Sequence, residues 1–171
     1  MPNVYEFVCD QRSFPEHRHI LCSGQLALHE SLVLPMAKPD IERLVEVKVL
    51  PVIDSFRILS SGKGKKVVIK GHLEEVILYI ADAACQPVHA AHFSWPFATF
   101  LDLPSCCANY ALLEQYPPRV IVEYVQAEQL CSREISKTVV LFIWYPILEL
   151  TPPPPRHHHR YIVPRKKDDI Q

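Results

Sequence analysis

One run in the middle of the chain, Lys65-Lys66-Val67-Val68-Ile69-Lys70-Gly71-His72-Leu73-Glu74-Glu75-Val76-Ile77-Leu78-Tyr79-Ile80, reads as strand. Its β-branched and aliphatic residues suit a pleated surface, and no apolar stripe repeats at helical spacing. Gly71 inside it marks a bulge or a corner, so the run is one bent strand or two. The turn Ser60-Ser61-Gly62-Lys63-Gly64-Lys65 separates it from an earlier apolar run. There Val45, Val47 and Val49 alternate with Glu46 and Lys48, which implies one buried face and one wet face.

The same grammar recurs along the chain. Asp54–Leu59 (with a bend at Asp54-Ser55 as the alternative start), Val88–Ser94, Pro96–Leu103, Val120–Gln126 and Lys137–Trp144 are further strand candidates. Roughly seven to nine short strands at intervals of about ten residues predict an all-β body. The expected form is a single antiparallel β-sandwich or jelly-roll. Only 4 glycines stand against 16 prolines. Prolines stop helices and confine strands to edges or ends, which favours a rigid β protein with defined corners. A length of 171 residues suits one core.

Two flanking segments are expected. Residues 1–24 form an extended N-terminal arm containing the short strand Val4–Cys9. An arm of this kind has no core of its own, so it adds to the body's sheet, docks on another subunit, or stays mobile. The β domain follows over 25–150, and a proline- and histidine-rich tail over 151–171. Pro152–Pro155 predicts a polyproline II rod. Beyond it, Tyr161-Ile162-Val163 looks like an apolar hook. Between the strands, Pro104–Pro118 is a long loop with room for one helical turn at Ala108–Tyr116.

The order of these features resembles the SPOCS domain of endospore-forming bacteria, found in spore coat assembly proteins. The resemblance runs through Ile41-Glu42-Arg43-Leu44-Val45-Glu46-Val47-Lys48-Val49 and Val67-Val68-Ile69-Lys70-Gly71-His72-Leu73. It continues in Ile77–Ile80, Gln86–His89 and Pro96–Leu101, with a fainter echo in Val120–Tyr124 and Lys137–Leu141. It implies a spore-envelope role and transfers no active-site residues. The LysM module that accompanies the domain in longer chains has no counterpart in these residues. The family also implies a final site in the spore coat, the exosporium or the spore surface.

Net charge is -1, without the basic bias that phosphate neutralisation needs, so nucleic acid is not an expected partner. No apolar run is long enough to span a bilayer. The N-terminus lacks the basic and apolar regions of a secretory signal, which implies synthesis and retention in a cytosol; the resemblance implies that of the mother cell. No nucleophile elbow, phosphate loop, dinucleotide fingerprint or zincin motif is present, so no enzyme activity and no cofactor are expected. The histidines offer no convergent set either. His89 and His92 fall on opposite faces of a strand, and no metal is expected.

The 6 cysteines have three readings: reduced thiols, metal ligands, or disulfides formed after the mother cell lyses. Neighbouring Cys106 and Cys107 bridge each other only with strain, but a loop bearing both can reach two partners. Cys9 and Cys22 on the arm are candidate partners, from one subunit to the next. Cys85 and Cys131 read as small buried residues. Tyr5, Phe7, Trp95, Phe97, Tyr161, Ile162 and Val163 are candidate interface residues, because aromatics concentrate binding energy. Glu74 and Glu75 read as one solvated carboxylate beside one edge charge. The chain is thus expected to partner with itself and with other spore coat proteins. It would be a self-assembling structural subunit of a layer or fibre, or else a docking adaptor.

Overall fold

The computed structural model describes residues 3–10, 13–105 and 113–147. It is all-β, and the described residues form seven strands in two antiparallel sheets. The strands are β1 (Val4–Val8), β2 (Ile20–Val33), β3 (Ile41–Ser61), β4 (Gly64–Ala81), β5 (Val88–Leu103), β6 (Arg119–Gln129) and β7 (Glu134–Pro146). One sheet has the order β1-β6-β7-β2 and the other β3-β4-β5. They face each other as a sandwich, with β1 and β6 over β3 and β2 over β5. A short 3-10 turn, His17–His19, precedes β2.

Period-2 alternation builds the core. On β4, Val67, Ile69, Leu73, Ile77, Tyr79 and Ala81 are buried; on β7, Ile135, Val139, Leu141, Ile143 and Tyr145 face them. β4 and β7 are each flanked by strands on both sides, so their inner faces hold the driest part of the molecule. Tyr145 is buried whole, and its hydroxyl donates to Leu113 O and Tyr116 O, tying down the end of the long loop. Burial pushes its phenol up to about 12.

Several expected breaks are absent. Leu44–Leu50 and Asp54–Leu59 belong to one strand, β3, and Val88–Ser94 and Pro96–Leu103 to another, β5. Pro51 and Pro96 sit inside these strands, on edges paired only with β4. A missing N–H there can face outward at little cost. Gly71 lies in the unbroken strand β4, and the register shift falls opposite it, between Ile53 and Ser55 of β3.

The alternation expected in β3 is also corrected. Register shifts at Ile41/Arg43 and Leu44/Glu46 advance the inward positions by three, so Ile41, Leu44 and Val47 are buried and Val45 is exposed. A bulge adds one residue and reverses which parity faces the core.

The arm adds to the body's own sheet. β1 pairs antiparallel with β6 from Val4↔Glu128 to Val8↔Tyr124. The chain then crosses to the opposite edge of that sheet, where β2 begins at Ile20 rather than after residue 24. On the way Phe14 meets Phe142 edge-on at 5.3 Å, and Phe142 stacks on Trp144 at 5.6 Å. The turn expected at Ala108–Tyr116 lies mostly outside the described residues, and the tail from 148 onward lies wholly outside them.

Candidate assembly edges and a buried charge cluster

Four strands, β1, β2, β3 and β5, are sheet edges. Because β1 is short, part of β6 is also left without a partner strand on that side among the described residues. Past Val8 the last backbone bond is Cys9 N–H to Glu123 O at 2.9 Å. Among the described residues no strand pairs with Arg119–Val122 on that side, although β7 pairs with them on the other. Val120 and Val122 pack on the core yet stay half-buried, and among the described residues no further strand closes the sandwich there. The opening is a groove of about 460 Å³ walled by β1, β6 and the edge of β3, including Phe7, Val49, Leu50 and Pro51. Leu50 is 58% exposed and Phe7 41%. The arrangement is a mostly apolar lane, with Glu46 and Lys48 among the residues that line it and backbone groups of β6 on one side.

The candidate interface residues separate. Tyr5 and Phe7 line this groove. Trp95 is 40% exposed at the opposite edge, on β5. Phe97, expected at an interface, is buried instead: it faces Gly71 across β4–β5. A Cβ at Gly71 would come within 2.6 Å of the Phe97 ring and 2.2 Å of Val52 O, so the ring occupies the space the glycine leaves. Tyr161, Ile162 and Val163 lie outside the described residues.

Cys9 follows β1 directly, at the mouth of the lane, and its thiol donates to Asp10 O at 3.6 Å. Cys22 is half-buried at the start of β2. Cys106 and Cys107 lie outside the described residues. Cys85 and Cys131, expected to be buried, are exposed. Both occupy connections between strands, where a short side chain finds no cover.

The feature that sequence reasoning missed is inside. Glu75 is not an edge charge: it is 1% exposed, between the sheets. Lys137 of β7 is equally buried, and so is Glu30 of β2, its register partner. The Lys137 ammonium contacts Glu75 Oε1 and lies 2.7 Å from Glu30 Oε2. Glu30 Oε1 and Oε2 and Glu75 Oε2 are buried without a hydrogen-bond partner. Burial pushes the Lys137 amine down, and the Glu30 carboxylate opposes that shift. The signal was available. Counting by twos from Val67 through Ile69, Gly71 and Leu73 reaches Glu75, and from Ile135 it reaches Lys137. By the same count Glu74 falls outward, and it is solvated.

At the surface, Arg133 spans the crossing from β2 to β3. It donates to Leu34 O, Pro35 O, Lys38 O and Asp40 Oδ1. Hydrogen bonding from Arg133 first, then from Ser132, holds Asp40 below the usual carboxylate range. Among the described residues no cluster of His, Cys, Asp and Glu could hold a metal ion. No helix among them is long and apolar enough to cross a membrane.

Compared with protein families, residues 40–129 match the model described as SipL, SPOCS domain. The matched span runs from the start of β3 to the end of β6 and includes the edge of the open lane. It stops short of Lys137–Leu141. No curated protein and no solved structure matches the chain. The family is spore-associated and non-catalytic, and its match covers more than half of the residues. The chain belongs to the SPOCS domain family, which points to a spore-associated role.

Proposed function

We propose that this chain is a non-enzymatic structural subunit that self-assembles into a spore-envelope layer or a spore appendage fibre. One observation carries the reading: β6 runs on past the end of β1 and leaves a lane beside Arg119–Val122, bordered by an apolar groove. An extended segment of another copy fits such a lane by strand addition, with main-chain hydrogen bonds for affinity and apolar side chains in the groove. A contact between two different surfaces of one molecule is heterologous, and repeated it gives a ring or a helical fibre. The family supports the spore setting, at a final site in the coat, the exosporium or the spore surface.

Cys9 stands at the head of the lane, so a docked segment passes its thiol. Disulfides formed there after release from a reducing cytoplasm lock the assembly kinetically. The expected partners are further copies and other spore coat proteins.

Sedimentation of the purified chain tests the reading. In air, species heavier than the 19.6 kDa monomer grow with concentration. Leu50→Lys, which places a charge in the groove at an exposed position, keeps the thermal unfolding midpoint and abolishes association. Cys9→Ser removes reductant-sensitive oligomers from denaturing gels but preserves the reversible ones. A wild-type chain that stays monomeric throughout overturns self-assembly. It favours instead an adaptor that offers the same edge to a spore coat assembly partner.

A further inference from the structure

We propose that Lys137 and Glu75 join in an intramolecular isopeptide bond, formed by the chain itself, with Glu30 as the proton-transfer group. Three ionisable side chains meet where no water reaches: Lys137 and Glu75 are fully covered, and Glu30 nearly so. One amine faces two carboxylates, so charges cannot balance with all three ionised. Three carboxylate oxygens, Glu30 Oε1, Glu30 Oε2 and Glu75 Oε2, have no hydrogen-bond partner, although Glu30 Oε2 lies 2.7 Å from Lys137 Nζ. As an ion pair this is a costly arrangement, since desolvating charges offsets their attraction and each orphaned oxygen adds to the cost.

As a reaction site the same arrangement is favourable. Burial pushes the Lys137 amine down, toward the neutral form that carries a nucleophilic lone pair. Its Nζ already contacts the Glu75 carboxyl, so the reacting atoms are pre-positioned. Glu30 is the cross-strand register partner of Lys137, with Oε2 2.7 Å from Nζ, within reach of the proton that must move.

The reaction balances without a co-reactant. The neutral amine attacks Glu75 Cδ, with Glu75 in its acid form. Glu30 takes a proton from the nitrogen and returns one to the departing hydroxyl. An N–C bond forms, a C–O bond breaks, water leaves, and Glu30 ends as it began. The product amide carries no charge, which removes the penalty that the ion pair sustains. It joins β4, the middle strand of one sheet, to β7, an interior strand of the other. The two sheets then cannot slide or part, whatever the assembly does at its edges. The bond is therefore independent of whether copies polymerise.

Intact mass of the purified full chain, reduced and denatured, is the test. The bond makes the chain lighter than its sequence by one water, and digestion yields a branched peptide linking Lys137 to Glu75. Lys137→Arg and Glu75→Ala restore the full sequence mass. Glu75→Gln reacts with loss of ammonia instead and gives a product of the same mass as mature wild type. Glu30→Gln retains both reacting groups and shows the full mass. Wild type at its full sequence mass, or a water lost at any other site in the peptide map, overturns the proposal without requiring any variant to fold. A wild-type-like deficit in Glu30→Gln overturns the part assigned to Glu30.

Discussion

Lys137 and His72 show how much one side chain's surroundings decide. Lys137 sits on the inward parity of β7 and has both its carboxylate neighbours inside the sandwich. Lys137→Ala leaves two buried acids without a partner, opens a cavity and removes the cross-link proposed above, so a loss of at least about 3 kcal/mol is expected in chemical denaturation. Glu74→Ala, one residue from the cluster but on the wet face, is expected to cost little by the same measurement. His72 lies at the surface, 2.9 Å from Asp54 and 3.7 Å from Glu74. The hydrogen bond to Asp54 is the main reason its imidazole is raised above 6.5, with Glu74 adding to it. A raised folded value stabilises the protein below the unfolded value, and this is lost as pH rises through the folded one. His72→Gln is therefore expected to lower the thermal midpoint at about pH 5.5 and to leave it unchanged at about pH 9. An equal loss at both values would contradict the assignment.

Among the elements, β4 was the most readable, because a strand flanked on both sides keeps strict alternation and its turn carries glycines. Gly64 at φ +121 confirms why the turn after β3 holds Gly62-Lys63-Gly64. Gly71→Ala is expected to cost about 1–3 kcal/mol, because the new methyl meets backbone at Val52 as well as the Phe97 ring. Unfolding in urea measures it, and a neutral result would mean that β3 shifts freely there. β3 was less readable. Its bulges are set by how a long strand bends over the sandwich rather than by any residue type, so Val45 took the wrong face. The prolines take the first of the two places expected for them, edges rather than ends: Pro51 and Pro96 lie inside long strands that are paired on one side only. Glu75 is hard to read because two adjacent carboxylates suggest solvent, although the two-residue period of β4 places one of them inside. Arg133 belongs to this scale too, since four acceptors on the β2–β3 crossing converge on it. Its removal by Arg133→Met is expected to raise amide exchange at Leu34–Ile41 while β4 and β7 remain protected.

For the whole molecule, the all-β sandwich was legible from alternation and from the spacing of turn residues. The strand order was not, because pairing β1 with β6 and β2 with β7 depends on contacts far apart in the sequence. The arm's destination was likewise one of three open choices, and it fills only half of an edge. That partial filling underlies the account of assembly. The body supplies a rigid frame, the frame holds β6 longer than its neighbour β1, and the excess forms a lane for an extended segment. Negative-stain electron microscopy of the purified chain, over a range of concentrations with and without reductant, tests this most directly. The account predicts ordered rings, sheets or fibres of wild type that become resistant to dilution in air, and none from Leu50→Lys. Dispersed single particles of wild type at every concentration, oxidised or reduced, would contradict it.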